Sequence, residues 1–356
     1  MIDDSEISIV VQGPVIFQSK ANITDHITQT VCQQLRKIFP GSELILSTWE
    51  NENIQNISYD QVVFNKDPGA TWFNYENYQL LNNCNRLIVS TLNGIKVATK
   101  PYILKLRSDL FLLSKSFLKY FDKYDVYDPT FKFVRQRIIA FGLYSIKAHK
   151  TPLFTMERPF HISDWAYFGF KEDMLNLYDI PLTNEPEFSQ WFLTRCKPFF
   201  DIEPHCLWKM PPEQYVTSSF LNKFMPIQLA HTTDISNDNM RLSQQALTNN
   251  FLVLDQSQFQ LVSLKYMNLQ ILFEPLLATT AIFFHTWLKD YCQVTPLVKA
   301  KKLRYRNRAA IRKIVFLCIN FLLLSTNGSF LNYSHWCGKY IKYVIRHEKV
   351  QEKKTK

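Results

Sequence analysis

The stretch from Ser90 to Leu113, STLNGIKVATKPYILKLRSDLFLL, limits the choice of fold more than any other. Its first half has a helical pattern, with Asn93-Gly94 opening the segment and Ala98 one turn on. Lys100-Pro101 ends it, because proline lacks the amide that a helix needs to continue. Tyr102, Ile103, Leu104 and Leu106 then make the apolar run of a strand that stops in Arg107-Ser108-Asp109. A helix that feeds directly into a buried strand is the repeating step of an α/β sheet. Ligands bind outside the carboxyl ends of the strands in such sheets, so Asp109 is expected where chemistry takes place.

The same alternation runs through the first third of the chain. Ile7 to Val11 is a β-branched run closed by Gly13-Pro14, which predicts a buried first strand. Thr28 to Phe39 follows as a helix with Val31, Leu35 and Ile38 inward; Pro40-Gly41 stops it, and Glu43 to Thr48 makes a second strand. Together they form a βαβ unit with parallel strands and a right-handed crossover. Val62 to Asn65 predicts a third strand, ended by Asp67-Pro68-Gly69, and Tyr75 to Ser90 a helix. Later strands are expected at Phe131 to Val134 and Trp165 to Phe170, helices at Lys171 to Tyr178 and Pro212 to Phe224, and a polar loop at Thr232 to Asn239.

Several classes are excluded by what the sequence contains. With 356 residues, 46% of them hydrophobic, the chain can bury a sizeable core, and 28 Phe against 8 Gly argue against fibrous or low-complexity structure. The seven cysteines are widely spaced and include no Cys-x-x-Cys, so neither a disulfide framework nor a zinc site is indicated. No Gly-x-Gly-x-x-Gly or P-loop occurs, which counts against dehydrogenases and kinases. MIDDSE is acidic and its following apolar run is too short for a signal core, so a cytoplasmic protein is expected.

The charge is uneven. Residues 296–356 carry 15 Lys or Arg against Glu348 and Glu352, whereas the remainder is close to neutral. Within that tail, PLVKAKKLRYRNRAAIRK precedes IVFLCINFLLL, a run well short of the roughly 20 residues needed to cross a bilayer. Residues 267–288 are apolar but interrupted by Glu274-Pro275. Basic residues beside a short apolar segment suit an anionic membrane surface, and no nucleic-acid module accompanies them.

The strand ending in Arg107-Ser108-Asp109 resembles the signature of GT-A nucleotide-sugar glycosyltransferases, Asn-x-Gly, Ala, then Tyr-Ile-x-x-Leu-Asp-x-Asp, except that Arg107 replaces the first Asp. Eight ordered blocks widen the likeness: VVQGPV (10–15), FPGSELILSTWE (39–50), NKDPG (65–69), NCNRLIVSTLNGIKVAT (83–99), LKLRSDL (104–110), PFHISDWAYFGFKEDML (159–175), NEPEFSQWF (184–192) and PPEQY (211–215). Read together they are similar to the WavE lipopolysaccharide synthesis family. The resemblance implies a GT-A-like α/β fold over residues 1–265, a mixed and mostly parallel sheet flanked by helices. The helical basic extension of 266–356 lies outside it. It further implies transfer of a sugar from a nucleotide-activated donor to a lipid-linked or polysaccharide acceptor.

Within that frame the residue types assign roles. Asp109 is the candidate ligand for Mg²⁺ or Mn²⁺, with His231 as a late addition, although one carboxylate makes a weak site for a hard cation. Arg86 and Arg107 offer planar forks for phosphate; Arg107 alternatively pairs with Asp109. Gln12, Gly13 and Pro14 are expected near the nucleoside, with Trp49, Glu50 and Asn93 beside them. Asp164 and Glu213 are the candidate bases for the acceptor hydroxyl, and His161, Trp165 and Tyr167 the candidate acceptor contacts. Two rivals share these features: a sugar-phosphate nucleotidyltransferase, whose Gly-rich basic loop QGPVIFQ lacks, and a non-catalytic component docking a polysaccharide complex to the membrane.

Overall fold

A computed structural model describes residues 2–18, 25–75, 78–150, 155–193, 195, 207–232, 234–265 and 281–294. Strand β1 (Ile7–Gln12) is buried along its whole length, as a β-branched run covered on both faces requires. Helix α1 (Ile27–Ile38) turns Ile27, Val31 and Leu35 inward at helical spacing and keeps Arg36 and Lys37 in its last turn, where cations oppose the dipole. β2 (Glu43–Trp49) returns parallel to β1, and β3 (Gln61–Asn65) pairs parallel to β2. An antiparallel pair, β4 (Thr71–Tyr75) and β5 (Tyr78–Asn82), precedes α2 (Cys84–Val97), and β6 (Tyr102–Arg107) then pairs with the free side of β1.

The second half completes the sheet. After β7 (Leu110–Leu112) come β8 (Ile138–Phe141), the short pair β9 (Ala148–Lys150) and β10 (Thr155–Glu157), and then β11 (Ala166–Phe170). Helices α3 (Lys171–Tyr178), α4 (Pro212–Leu221) and α5 (Asn237–Asn250) follow, then β12 (Phe251–Leu254), α6 (Gln256–Phe259), β13 (Leu261–Ser263) and α7 (Phe284–Val294). The seven-stranded sheet has the order β3-β2-β1-β6-β11-β8-β12. Only β11 runs against the other strands, pairing antiparallel with both β6 and β8. The fold is therefore the mixed, mostly parallel sheet flanked by helices that the sequence predicts. Because β11 is reversed, its entry at Asp164-Trp165 lies at the edge where β6 leaves at Arg107.

The two faces of the sheet differ in chemistry. One is a layer of stacked rings, in which Phe117 lies 4.7 Å from Phe259 and 5.4 Å from Phe168. On the other, α2 packs over Val10, Gln12 and Ser47, all three buried. Gly94 allows that approach: a Cβ there would stand 2.5 Å from Val10 Cγ1 and 3.0 Å from Ser47 Cβ. At the far end, α7 lays Trp287 into the core, its indole Nε1 donating to the Phe251 carbonyl at 2.7 Å.

Four local expectations differ from the structure. Asn93-Gly94 sits in the third turn of α2 and does not open a helix, because the small residue is needed for contact with β1. The first half of the helix expected over Tyr75 to Ser90 contains β5, whose Leu80 packs with Phe192 and Leu207 from distant sequence, and the helix starts at Cys84, in α2. Phe131 to Val134 is not a strand: Asp128 caps a 3-10 turn at Pro129–Phe131, and β8 fills the sheet position instead. The polar stretch at Thr232 to Asn239 runs into α5, with Ser236 as its N-cap. The basic segment 296–356 lies outside the described residues, and among those described no helix is long and apolar enough to cross a membrane.

Candidate active site

The loops leaving β1 and β6 are fastened to each other. Ser108 donates its amide to the Gln12 carbonyl at 2.9 Å and its hydroxyl to the Pro14 carbonyl at 2.6 Å. Gly13, at φ +111°, takes the left-handed turn this requires, and its amide reaches the Ser47 carbonyl at 3.0 Å. The ends of β1, β2 and β6 thus form one rigid rim.

At the centre of that rim Arg107 lies with its guanidinium carbon 4.0 Å from the Trp165 ring centroid and forks onto Asp109. Asp109 also accepts from Ser263 Oγ at 2.6 Å, a partner 154 residues away on β13. Burial alone would raise the Asp109 carboxyl, but the Arg107 guanidinium and the hydrogen bonds from Arg107 and Ser263 outweigh it and hold the group below the ordinary carboxylate range. Both carboxylate oxygens are therefore engaged by protein. His231 packs edge-on against Phe192 at 5.3 Å, and burial lowers its imidazole. Among the described residues no three His, Cys, Asp or Glu side chains gather to hold a metal ion. Asp109 is engaged by Arg107 and Ser263, and a guanidinium stands where the resemblance places a second carboxylate.

Next to Arg107 a second group of charges meets. Asp164, buried at the entry to β11, and Glu213, in the first turn of α4, interact with each other and with Lys105 of β6. Burial first, and then the negative charge of Asp164, push the Glu213 carboxyl up to about 8. Both causes favour the protonated form of Glu213. Two interacting carboxyls beside a guanidinium give the site groups able to exchange protons with a substrate.

On the side of β2 and β3, Gln12 accepts from Ser90 Oγ at 2.8 Å, and Asn93 donates to Asn65 Oδ1 at 2.9 Å. Both side chains serve the packing of α2 on the sheet. Arg86 projects from the first turn of α2 towards the Trp49 ring, 6.0 Å from its centroid, and forks onto Asp67 in the NKDPG turn. Trp49 is half-buried, and Glu50 and Pro14 are exposed on the same rim.

The expected acceptor contacts are placed differently. Tyr167 has no exposed surface and lies between Tyr178 and Phe251, so it is a core side chain and no platform for a sugar. His161 is buried too, and Trp165 offers one face to Arg107 and packs against Tyr144 with the rest of its ring. Three members of the site escaped the sequence reading: Asp67, Ser263 and Lys105. Ser263 carries no local signal, Asp67 reads only as part of the NKDPG turn, and Lys105 sits in an apolar strand where a lone lysine reads as solvent-facing.

The profile described as WavE lipopolysaccharide synthesis matches residues 7–341 and so continues well past the eight blocks, into the C-terminal segment. No curated protein matches the chain. Among solved structures, a 4-diphosphocytidyl-2C-methyl-D-erythritol synthase from Anaerococcus prevotii is 12% identical with a TM-score of 0.32, over 55% of this chain and 86% of that one. A CMP:2-keto-3-deoxy-manno-octonic acid synthetase complexed with CTP is 11% identical, TM-score 0.30, over 51% and 80%. A UTP-bound UGPase from Acinetobacter baumannii is 10% identical, TM-score 0.29, over 51% and 79%.

Proposed function

The chain belongs to the WavE lipopolysaccharide synthesis family, and from that premise we propose that it is a glycosyltransferase moving a sugar from a nucleotide-activated donor to a lipopolysaccharide core or capsular polysaccharide acceptor. One observation carries the reading. A guanidinium held flat between Asp109 and Trp165 and a pair of interacting carboxyls, Asp164 and Glu213, share one edge of the sheet. The first can receive a leaving phosphate; the second can take a proton.

In this mechanism the donor lies across the ends of β1, β2 and β6. As the anomeric carbon–oxygen bond breaks, its electron pair leaves with the phosphate, and Arg107 stabilises the charge that develops. Asp164 takes the proton of the acceptor hydroxyl as that oxygen bonds the anomeric carbon from the opposite face. Glu213, whose carboxyl burial and the charge of Asp164 hold towards its protonated form, stands beside it as a hydrogen-bond donor. The 15 basic residues of 296–356 support docking on the anionic inner face of a membrane, where lipid-linked acceptors reside.

The test is thermal unfolding with UDP-, GDP-, CMP- and ADP-sugars, each with and without Mn²⁺, beside nucleoside triphosphates paired with sugar 1-phosphates. Stabilisation by one nucleotide sugar, lost in Arg107→Ala, is expected. A response confined to triphosphates would replace this reading with nucleotidyl transfer, and no response to any nucleotide would leave the docking role.

A further inference from the structure

We propose that Lys105 is a positioning residue for the reaction: from inside the sheet layer it holds the main-chain carbonyl of Asp164 and so fixes where that carboxylate points. The proposal rests on the reading of Asp164 as the base and deepens it.

Lys105 lies in the middle of β6, in register with Val10 of β1 and Tyr167 of β11, and has no exposed surface. Its neighbours along the strand are Leu104 and Leu106. A cation at such a position costs several kcal/mol unless partners compensate it. The compensation is specific. Nζ donates to the Asp164 carbonyl, and the rings of Tyr167 and Tyr178 stand 5.9 and 5.6 Å away. The next carbonyl, that of Trp165, accepts the Arg107 amide at 3.3 Å. Two successive carbonyls entering β11 are therefore gripped by β6, one through a main chain and one through the lysine.

Stability alone does not call for a lysine here. A methionine would fill the same aromatic cage with no charge to bury. What it could not do is hold the Asp164 carbonyl or set a positive charge beneath two carboxyls. The groups facing Lys105 are Arg107 and Asp109 from β6 and its exit, Asp164 from the loop before β11, and Glu213 from α4; Tyr167 of β11 and Tyr178 of α3 close the cage. Burial lowers the ammonium to about 8, which leaves it largely charged at neutral pH.

The experiment compares the full chain with Lys105→Met and Lys105→Gln, the second keeping a donor for the carbonyl. Amide hydrogen exchange across residues 162–166 should rise roughly tenfold in Lys105→Met while exchange in β1 and β2 is unchanged. With the donor found by the nucleotide-sugar panel, kcat should fall about tenfold or more at unchanged donor KM, and Lys105→Gln should recover part of it. Unchanged exchange at 162–166, or unchanged kcat, overturns the proposal. If both variants fail to fold, Lys105 is a structural residue and the proposal is wrong. If the panel yields no donor, the reading of the site fails by itself, and hydrogen exchange still decides whether Lys105 positions Asp164.

Discussion

Arg107 turns back across one residue and binds both oxygens of Asp109, Nε to Oδ1 at 2.9 Å and Nη2 to Oδ2 at 2.7 Å. Asp109 is buried whereas the Arg107 side chain keeps 22% of its surface exposed. The acid is thus the inner member of the pair, and it aims the guanidinium outward. Asp109→Ala leaves Arg107 and Ser263 without that partner, and about 3 kcal/mol of stability should be lost in urea denaturation, the low end of the range for a broken buried pair because Arg107 is partly solvated. The folded carboxyl lies below its ordinary value of 3.8, so its contribution is present above that pH and disappears as pH falls through the folded value. A variant with an unchanged midpoint at pH 7 would refute this account of the pair.

Arg107→Lys keeps the charge and discards the fork. A lysine can meet neither both oxygens of Asp109 nor the face of Trp165 as a plane, so donor affinity should drop roughly tenfold although the charge is conserved. Calorimetric titration with the stabilising nucleotide sugar measures it. Affinity equal to wild type would mean that the donor phosphate sits elsewhere on the rim.

Asp164 and Glu213 are separated by isosteric substitution. Burial and the charge of Asp164 favour the protonated form of Glu213, which glutamine mimics, so Glu213→Gln should change little at neutral pH, whereas Asp164→Asn removes the base and should cost roughly 10²–10⁴-fold in kcat. Stability gives an independent reading. Glu213 titrates near 8 when folded against 4.5 as a free group, so folding stability falls as pH rises from 4.5 to 8. Glu213→Gln should flatten that decline in a series of melting curves. A decline of the same slope in the variant assigns the titration to another group.

The sequence made some of this legible and hid the rest for physical reasons. β1, β2, β6 and α3 were readable because each has one consistent period and a breaker at its end, and α3 matches its expected limits, Lys171–Tyr178. Arg107 and Asp109 were readable as a pair because they lie two residues apart on a strand end. The hairpin β4–β5 was not, since Leu80 is apolar for the sake of Phe192 and Leu207, more than a hundred residues later. Ser263 and Lys105 were missed for the matching reason: what defines each is a partner brought close by the sheet, Asp109 in one case and the Asp164 carbonyl in the other.

Gly94→Ala opposes two effects of known size. Alanine gains up to about 1 kcal/mol over glycine in a helix interior. Here the added methyl would lie 2.5 Å from Cγ1 of Val10, a β-branched side chain on a central strand that has no room to yield. Overpacking of that kind costs typically 1–3 kcal/mol, so the clash should win and the melting temperature should fall. A variant as stable as wild type would show that α2 can lift away from β1 without loss.

Two truncations separate the core from the basic tail. Residues 281–294 belong to the body, for Trp287 is buried and bonded to Phe251, and losing such a side chain costs about 3–5 kcal/mol. A chain ending before Phe284 should therefore unfold or melt far below wild type. A chain ending at Thr295 keeps α7 and loses 15 basic residues against two acids, a net change of 13 charges. It should keep its melting temperature and its response to nucleotide sugars. Lys and Arg near an anionic surface contribute about 1 kcal/mol each, and salt screens them, so co-sedimentation with phosphatidylserine vesicles should fall steeply on truncation and, for the full chain, with rising ionic strength. Equal sedimentation of the two chains at low salt would place the membrane contact on the body instead of the tail.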